Sequence, residues 1–208
     1  VNSMQGCYTA PEDIIIQPGA IIGLKYKENS QNTTFSQNTL IRAGSIIYCD
    51  VTCGSNFQTG HYVLIREHTE IGQHVVIGTN TVLDGNIIIG DYVKIESNCY
   101  IPTHTTIGSR VFIGPGVTMT NDKYPLKMRD TYKPIGPIIE DEVTIGGGVI
   151  IVPGIRIGRG SFIAAGTVVT KDIPPMSLVM GSAGKITVLP KELEEKNIAL
   201  SWQKYLLA

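Results

Sequence analysis

The fold class the sequence predicts is all-β: a parallel β-helix wound as a triangular prism, followed by one C-terminal α-helix. Three observations predict it. First, the chain from Phe35 to Thr118 divides without a slip into fourteen successive sixes, FSQNTL, IRAGSI, IYCDVT and so on to IGPGVT. Second, each place in the six has its own chemistry. The first holds Ile41, Ile47, Ile65, Ile71, Ile77, Leu83, Ile89, Ile95, Ile101, Ile107 and Ile113, the second is often Gly, and the fifth is small or β-branched. Third, the same register returns from Ile139 to Pro174 after an interruption. Self-similarity at a fixed short period marks a solenoid, and six residues is the period of a hexapeptide β-helix.

Residues 1–15 carry no repeat and are expected to form an N-terminal arm. The β-helix is expected over 16–186, opening with IQPGAI and IGLKYK. Polar ENSQNTT then reads as a seven-residue loop bulging from a corner. After the fourteen sixes, residues 119–138 (MTNDKYPLKMRDTYKPIGPI) break the period with three prolines and clustered charges. An irregular stretch of that length inside a compact domain is usually functional. PMSLVMGSAGKITV reads as an exit strand, and 187–208 as a helix, with Pro190 at its start and Leu189, Leu193, Leu200 and Leu207 near helical spacing.

Each six supplies a short strand and a turn. Three turns close a prism of 18 residues per coil, so the twenty-two sixes make about seven coils. Strands stacked about 4.8 Å apart give a wall roughly 35 Å tall.

The bulk numbers exclude several classes. Of 208 residues, 42% are hydrophobic and 17% charged, which argues against disorder. A formal net charge of -1 gives no support to a nucleic-acid partner. Of the four cysteines, Cys53 and Cys99 occupy core places, as small apolar filler in a reduced compartment. Neither a leader nor an apolar run near 18 residues is present in this sequence, so a cytoplasmic protein with no membrane span is expected.

Residues 18 apart stack on one corner. His68, Asn86 and His104 share the fourth place of one corner, and the count continues toward Asp122, where the long interruption begins. A second corner stacks Tyr62, Asn80 and Asn98, and a third stacks Asn38, Asn56, His74, Tyr92 and Arg110. Asn at these places has a plain structural use, because it tolerates the left-handed backbone of a tight corner. Two histidines in one column beside the long loop are less easily explained by that alone. Lys123, Lys127 and Arg129 on the loop either form a solvated face or meet a diphosphate.

The sixes, together with the exit IPPMSLVMGSAGK, resemble the left-handed parallel β-helix acyltransferases of the hexapeptide-repeat superfamily over residues 16 to about 186. That family usually closes with Gly-Asn-Pro-Ala-Lys, from which Ser182, Ala183 and Gly184 depart. VFIGPGVTMTNDKYP, with the run Thr120, Asn121 and Asp122, is similar to bacterial sugar-nucleotide N-acetyltransferases that act on amino sugars for surface polysaccharides. The resemblance implies left-handed coiling and a homotrimer with active sites between subunits. It implies acetyl-coenzyme A as acyl donor, with no tightly bound cofactor, and an amino-sugar acceptor, nucleotide-linked. From its place in the coil just below the loop, His104, with His68 in its column, is the candidate catalytic histidine, either as a base or to position the sugar, and the resemblance of IESNCYI implies Asn98 as the holder of the substrate amine. Asn86, Asn121, Asp122, Lys123 and Tyr124 would bind the acceptor. Gly146, Gly147, Ala164 and Ala165 would leave backbone open to a pantetheine arm, with Lys171 and Lys185, helped by Arg156 and Arg159, near the adenosine phosphates.

Three other readings share the repeat. The γ-class carbonic anhydrases resemble it too, with two zinc-binding histidines two coils apart like His68 and His104. Two coils separate such side chains by about 10 Å, too far for one ion at about 2 Å from each within a single prism. Ser109 stands where that family has its third ligand, and its Asp-Pro-Gln run is missing, so no metal ligand is assigned. A sugar O-acetyltransferase remains open, and so does a non-catalytic scaffold, against which the long loop argues.

Overall fold

The computed structural model describes residues 7–123, 133–182, 184–189 and 191. They form a β-solenoid with three sheets, one on each side of the prism. Face A carries Tyr8–Thr9, Thr33–Phe35, Val51–Cys53, Thr69–Ile71, Ile87–Ile89, Thr106–Ile107, Ile138–Ile139 and Arg156–Ile157. Face B runs from Ile15–Ile16 through Leu40–Ile41, Gln58–Thr59, Val76–Ile77, Lys94–Ile95, Phe112–Ile113, Thr144–Ile145 and Phe162–Ile163 to Ser177–Met180 and Lys185–Val188. Face C holds Ile21–Leu24, Ile46–Tyr48, Leu64–Ile65, Val82–Leu83, Tyr100–Ile101, Thr118–Met119, Ile150–Ile151 and Val168–Val169. The chain visits A, B and C in turn, so three edges result: A–B, B–C and C–A.

Except for the last pair on face B, neighbouring strands on a face are parallel and, through the uninterrupted sixes, paired 18 residues apart, as in Thr69↔Ile87 and Val76↔Lys94. First and fifth places both point inward: Ile41, Ile65, Ile95, Val63, Val93 and Val117 are all buried. Each such side chain contributes on the order of 1.5–3 kcal/mol by leaving water. Fifth-place hydroxyls bond locally to carbonyls, Thr69 to Arg66 at 2.7 Å and Thr105 to Pro102 at 2.7 Å, whereas the buried Thr167 Oγ1 has no partner.

Three sequence expectations change. Faces A and C each have eight strands, about eight coils where the sixes gave about seven; on A the eighth is Tyr8–Thr9, which pairs with Thr33–Thr34 ahead of the sixes. The exit strand is a hairpin: Ser177–Met180 and Lys185–Val188 are antiparallel, joined through Gly181 at φ 93 and Gly184 at φ 39. This strand takes up residues 187 and 188, and the helix expected over Pro190–Leu207 lies almost wholly outside the described residues.

The interruptions keep the register around them. Partners across the first are 25 residues apart (Ile15↔Leu40), seven more than a coil, which is the length of ENSQNTT. Across the second they are 32 apart (Thr106↔Ile138), so fourteen residues are inserted. That is fewer than the twenty irregular residues of the sequence, because Thr118–Met119 and Ile138–Ile139 at the two ends join sheets. Both insertions leave from the C–A edge.

Every fourth place from Asn38 to Gly116 has positive φ, including Tyr62 (56°), His68 (56°), Asn98 (61°), His104 (63°) and Arg110 (57°). A non-glycine residue there costs roughly 1–2 kcal/mol relative to the right-handed region, less for Asn and Asp. Second-place glycines answer a different need. A Cβ on Gly78 would run into the Glu96–Ser97 backbone one coil above.

Two stability measurements follow. Arg110→Gly should raise the thermal midpoint and Arg110→Val lower it, by about 1 kcal/mol each way; equal effects would refute corner strain. Glu140 accepts from Arg156 at 2.7 Å and from the Arg159 N–H at 2.9 Å, and the Arg156 bond chiefly holds its carboxyl below the ordinary 4.5. A depressed pKa gives stability that is present above the ordinary value and is lost as pH falls through the folded one. Glu140→Gln should therefore cost roughly 0–1 kcal/mol at neutral pH, since both partners are partly exposed. The difference from the parent should shrink in acid melts below 4.5.

Candidate functional site

The C–A edge carries the histidine column. Asp50, His68, Asn86 and His104 sit in its left-handed fourth places, and backbone bonds stack them: His68 N to Asp50 O at 2.8 Å and His104 N to Asn86 O at 3.0 Å. His68, Asn86 and His104 are exposed because the corner turns their side chains outward. The fourteen-residue insertion begins directly above His104. Asn121 Nδ2 donates to Thr103 Oγ1 at 2.9 Å, so the register survives to Asn121. The neck of the loop closes there, with Ile135 N donating to Asn121 O at 3.1 Å and Gly154 N to Ile135 O at 3.0 Å. The returning chain crosses so close to the His104 carbonyl that a Cβ on Gly136 would strike it. His104 is thus fixed under the root of the loop, with half-buried Asp122 and exposed Lys123 at its start. Tyr124, Lys127 and Arg129 lie outside the described residues.

Two of the expected groups lie elsewhere. Asn98 is on the B–C edge, where its Oδ1 accepts from Asn80 Nδ2 at 3.3 Å. The strand Tyr100–Ile101 separates it from His104, so one chain does not bring Asn98 and His104 together. Gly146, Gly147, Ala164 and Ala165 continue that B–C edge above Asn98. Beside them, Gly116, Gly148 and Gly166 have positive φ and open space where a side chain would be, so a long thin ligand could lie along the bare backbone.

The cations proposed for a polyphosphate do not gather. Lys171 is exposed on the last C–A turn, and Lys185 opens the final strand on face B. Arg156 is paired with Glu140 at 2.7 Å, and Arg159 with Glu142 at 3.4 Å. These arginines are held by carboxylates that occupy adjacent places in the register, which the spacing of the sixes did not reveal.

The A–B edge is structural. Asp91 Oδ1 accepts from Gln73 N at 2.9 Å, Ser109 Oγ from Asp91 N at 3.1 Å, and Asp141 Oδ1 from Ser109 N at 2.8 Å. Beside this ladder His74 stacks on Tyr92, centroids 4.6 Å apart and planes within 10°. A histidine spent in a stack differs from His104, which stands at the loop.

Sequence reasoning missed the lower part of the C–A edge. Tyr26, at the root of the first insertion, donates its hydroxyl to Asp50 Oδ2 at 2.7 Å and meets His68 Nε2 at 2.9 Å. The hydroxyl has one proton and a carboxylate only accepts, so His68 donates through Nε2 and presents Nδ1 as its second ring nitrogen. Burial would raise the Asp50 carboxyl, but the bonds from Tyr26 and Gln31 N–H leave it below its usual range. Counting one coil back from His68 reaches Asp50 and is the signal that was there to use. Among the described residues no three His, Cys, Asp or Glu side chains converge as a metal site, and no helix is long and apolar enough to cross a membrane.

Comparison with known proteins fits this architecture. The family model for bacterial transferase hexapeptides (six repeats) matches residues 86–121 and 136–171, and that for the hexapeptide repeat of succinyl-transferase matches 69–102. A Schizosaccharomyces pombe protein assigned as an acetyltransferase is 51% identical over 77 residues, 35% of this chain and 37% of its own. A Staphylococcus aureus 2,3,4,5-tetrahydropyridine-2,6-dicarboxylate N-acetyltransferase is 40% identical over 58 residues, 28% of this chain and 24% of its own. The aligned segments thus span about a third and a quarter of those relatives. A Bacteroides fragilis UDP-N-acetylglucosamine acyltransferase structure superposes with TM-score 0.64 at 18% identity, over 85% of this chain and 73% of that one, which is a likeness of fold. The unbroken sixes, the three stacked sheets and the two matching repeat models identify residues 69–121 and 136–171 as hexapeptide repeats of the kind found in bacterial transferases.

Proposed function

We propose that the chain is an acetyl-coenzyme A-dependent N-acetyltransferase whose acceptor is an amino sugar carried as a nucleotide conjugate. The observation that carries the reading is the fourteen-residue insertion necked over the corner of His104. At the root of that insertion the outward-facing imidazole of His104 supplies a base, and Asn121 and Asp122 beside it supply polar groups for an acceptor. The Thr120–Asp122 run that opens the loop is the part similar to sugar-nucleotide N-acetyltransferases, and the acetyltransferase assignments of the relatives agree with the donor.

In this mechanism the neutral amine attacks the thioester carbonyl. A tetrahedral oxyanion forms, the C–S bond breaks, and coenzyme A leaves as the thiolate. The proton lost from nitrogen passes to His104, an imidazole being a base of suitable strength near neutral pH. Asn98 aligns the amine, which by holding reactants together accounts for much of the rate. Asn86, Asn121 and Asp122 hold sugar hydroxyls, and the pantetheine arm follows the bare backbone at Gly146, Gly147, Ala164 and Ala165.

Asn98 and the donor groove are on the B–C edge and His104 on the C–A edge, so the site needs the edges of two copies. The outward side chains support a ring of copies. Face C shows Ile46, Leu64, Val82, Tyr100, Ile150 and Val168, and face B shows Leu40, Val76, Phe112 and Phe162. Face A is more polar, with Thr34, Thr52, Glu70 and Arg156. Two apolar faces meeting head-to-tail close a homotrimer. We take the coiling to be left-handed and the residues after Pro190 to be helical, as the family resemblance implies.

The test is thiol release from acetyl-coenzyme A across a panel of amino-sugar nucleotides. Turnover with at least one of them is expected, and no turnover with any amine or hydroxyl acceptor would refute the activity. Stability of the product to hydroxylamine separates an amide from the ester that a sugar O-acetyltransferase makes. His104→Ala should lower turnover about 10²-fold or more, while His74→Ala, on the other edge, should leave it within a few-fold; equal losses would overturn the role of the column.

A further inference from the structure

The two insertions do more than interrupt the repeat: both leave the same edge and bracket the coils of Asp50, His68, Asn86 and His104. Polar side chains on this stretch of the C–A edge are bound to one another rather than used mainly as backbone caps. Arg66 makes a two-pronged pair with Glu67, at 2.7 and 3.2 Å, and reaches Asp84 at 3.2 Å. Tyr100 donates to the other oxygen of Asp84 at 2.9 Å. Below, Tyr26 joins Asp50 to His68. Aromatic rings line the same strip. The Arg66 guanidinium lies 5.8 Å from the Tyr48 ring centroid, and Tyr48 is 6.5 Å from Tyr26, tilted by 43°.

We propose that this strip is a second sugar-binding subsite, taking further rings of an acceptor whose reacting amino sugar lies at His104. The acceptor would then be an amino-sugar oligomer of two or more units, in place of the nucleotide-linked single sugar above. The inference rests on the amino-sugar reading above. The chemistry is that of carbohydrate recognition. Vicinal hydroxyls match forked carboxylate and guanidinium groups, and the C–H face of a pyranose packs on an aromatic ring. Because the forks are already held in place by one another, little ordering remains to be done on binding. Charge points the same way. Lys25, Lys27 and Arg66 stand against Glu28, Asp50, Glu67 and Asp84 around the strip, so a polyanion is disfavoured and an amino sugar is accommodated. From Asp50 to His104 is three coils, about 14 Å, longer than a single ring.

The probe is a series of glucosamine oligomers of one to four units and their N-acetylated counterparts. Binding is measured by titration calorimetry at physiological salt without acetyl-coenzyme A. Affinity should rise about tenfold or more from monomer to tetramer in both series, and Tyr26→Ala and Arg66→Ala should each remove the rise while leaving monomer binding. Tyr26→Phe, which keeps the ring and loses only the hydroxyl, should retain part of the rise and guards against a folding defect, checked by thermal melting. No rise with length, a rise confined to the cationic series, or a rise that survives both alanine variants would overturn the proposal. Length-dependent binding without any acetyl transfer would sink the enzymatic reading and leave the subsite standing. Acetyl transfer to monomers alone, with no length dependence, would do the reverse.

Discussion

Everything in this molecule depends on one backbone requirement: the chain must turn through a left-handed residue every six positions. The turn sends each strand onto the next face, and three of them bring the chain back over itself 18 residues later. Once that is met, the first and fifth places fall inside automatically, and one core of Ile and Val is shared by all coils. The requirement also decides what faces outward. A left-handed corner presents its side chain to solvent, so the residues that tolerate the backbone also become the surface groups of three edges.

The three edges have been put to different uses. On A–B, side chains of Asp91, Ser109 and Asp141 cap backbone N–H groups in a ladder, and the stack of His74 on Tyr92 fits the same structural role. On B–C, the upper corners are stripped to Gly116, Gly148 and Gly166, leaving bare backbone. Among the described residues, only C–A combines bonded polar side chains with insertions into the repeat. Any chemistry that needs both bare backbone and an outward base must therefore join two edges, and face C stands between them in one copy.

Much of this was legible in the sequence, for reasons that can be named. The period is fixed by sterics, so counting in eighteens placed His68, Asn86 and His104 on one edge and Asn98 on another without coordinates. The seven-residue bulge was read to its length because register resumes on both sides of it. What escaped the count were features that do not repeat. Tyr8–Thr9 adds the eighth strand of face A ahead of the sixes, with no Ile at a regular place. Lys185–Val188 turns back as an antiparallel strand at two glycines that also suit a simple exit. The bonds of Tyr26 to Asp50 and His68 cross an insertion, and insertions carry no register. The pairing of Arg156 with Glu140 was hidden because spacing gives proximity, not the choice of partner.

The neck of the long loop has a wider implication. Asn121 and Ile135 are joined to each other, and each is tied to the coil below or above it, so the wall closes beneath the loop as if the loop were not there. The coils on either side hold that segment by two neighbouring ends, joined by the bond from Ile135 N to Asn121 O at 3.1 Å. Lengthening such a segment twofold costs only about 0.6 kcal/mol in closure entropy. The prism therefore behaves as a socket at this point: recognition can be rewritten by exchanging the inserted segment, while folding continues to be governed by the coils on either side.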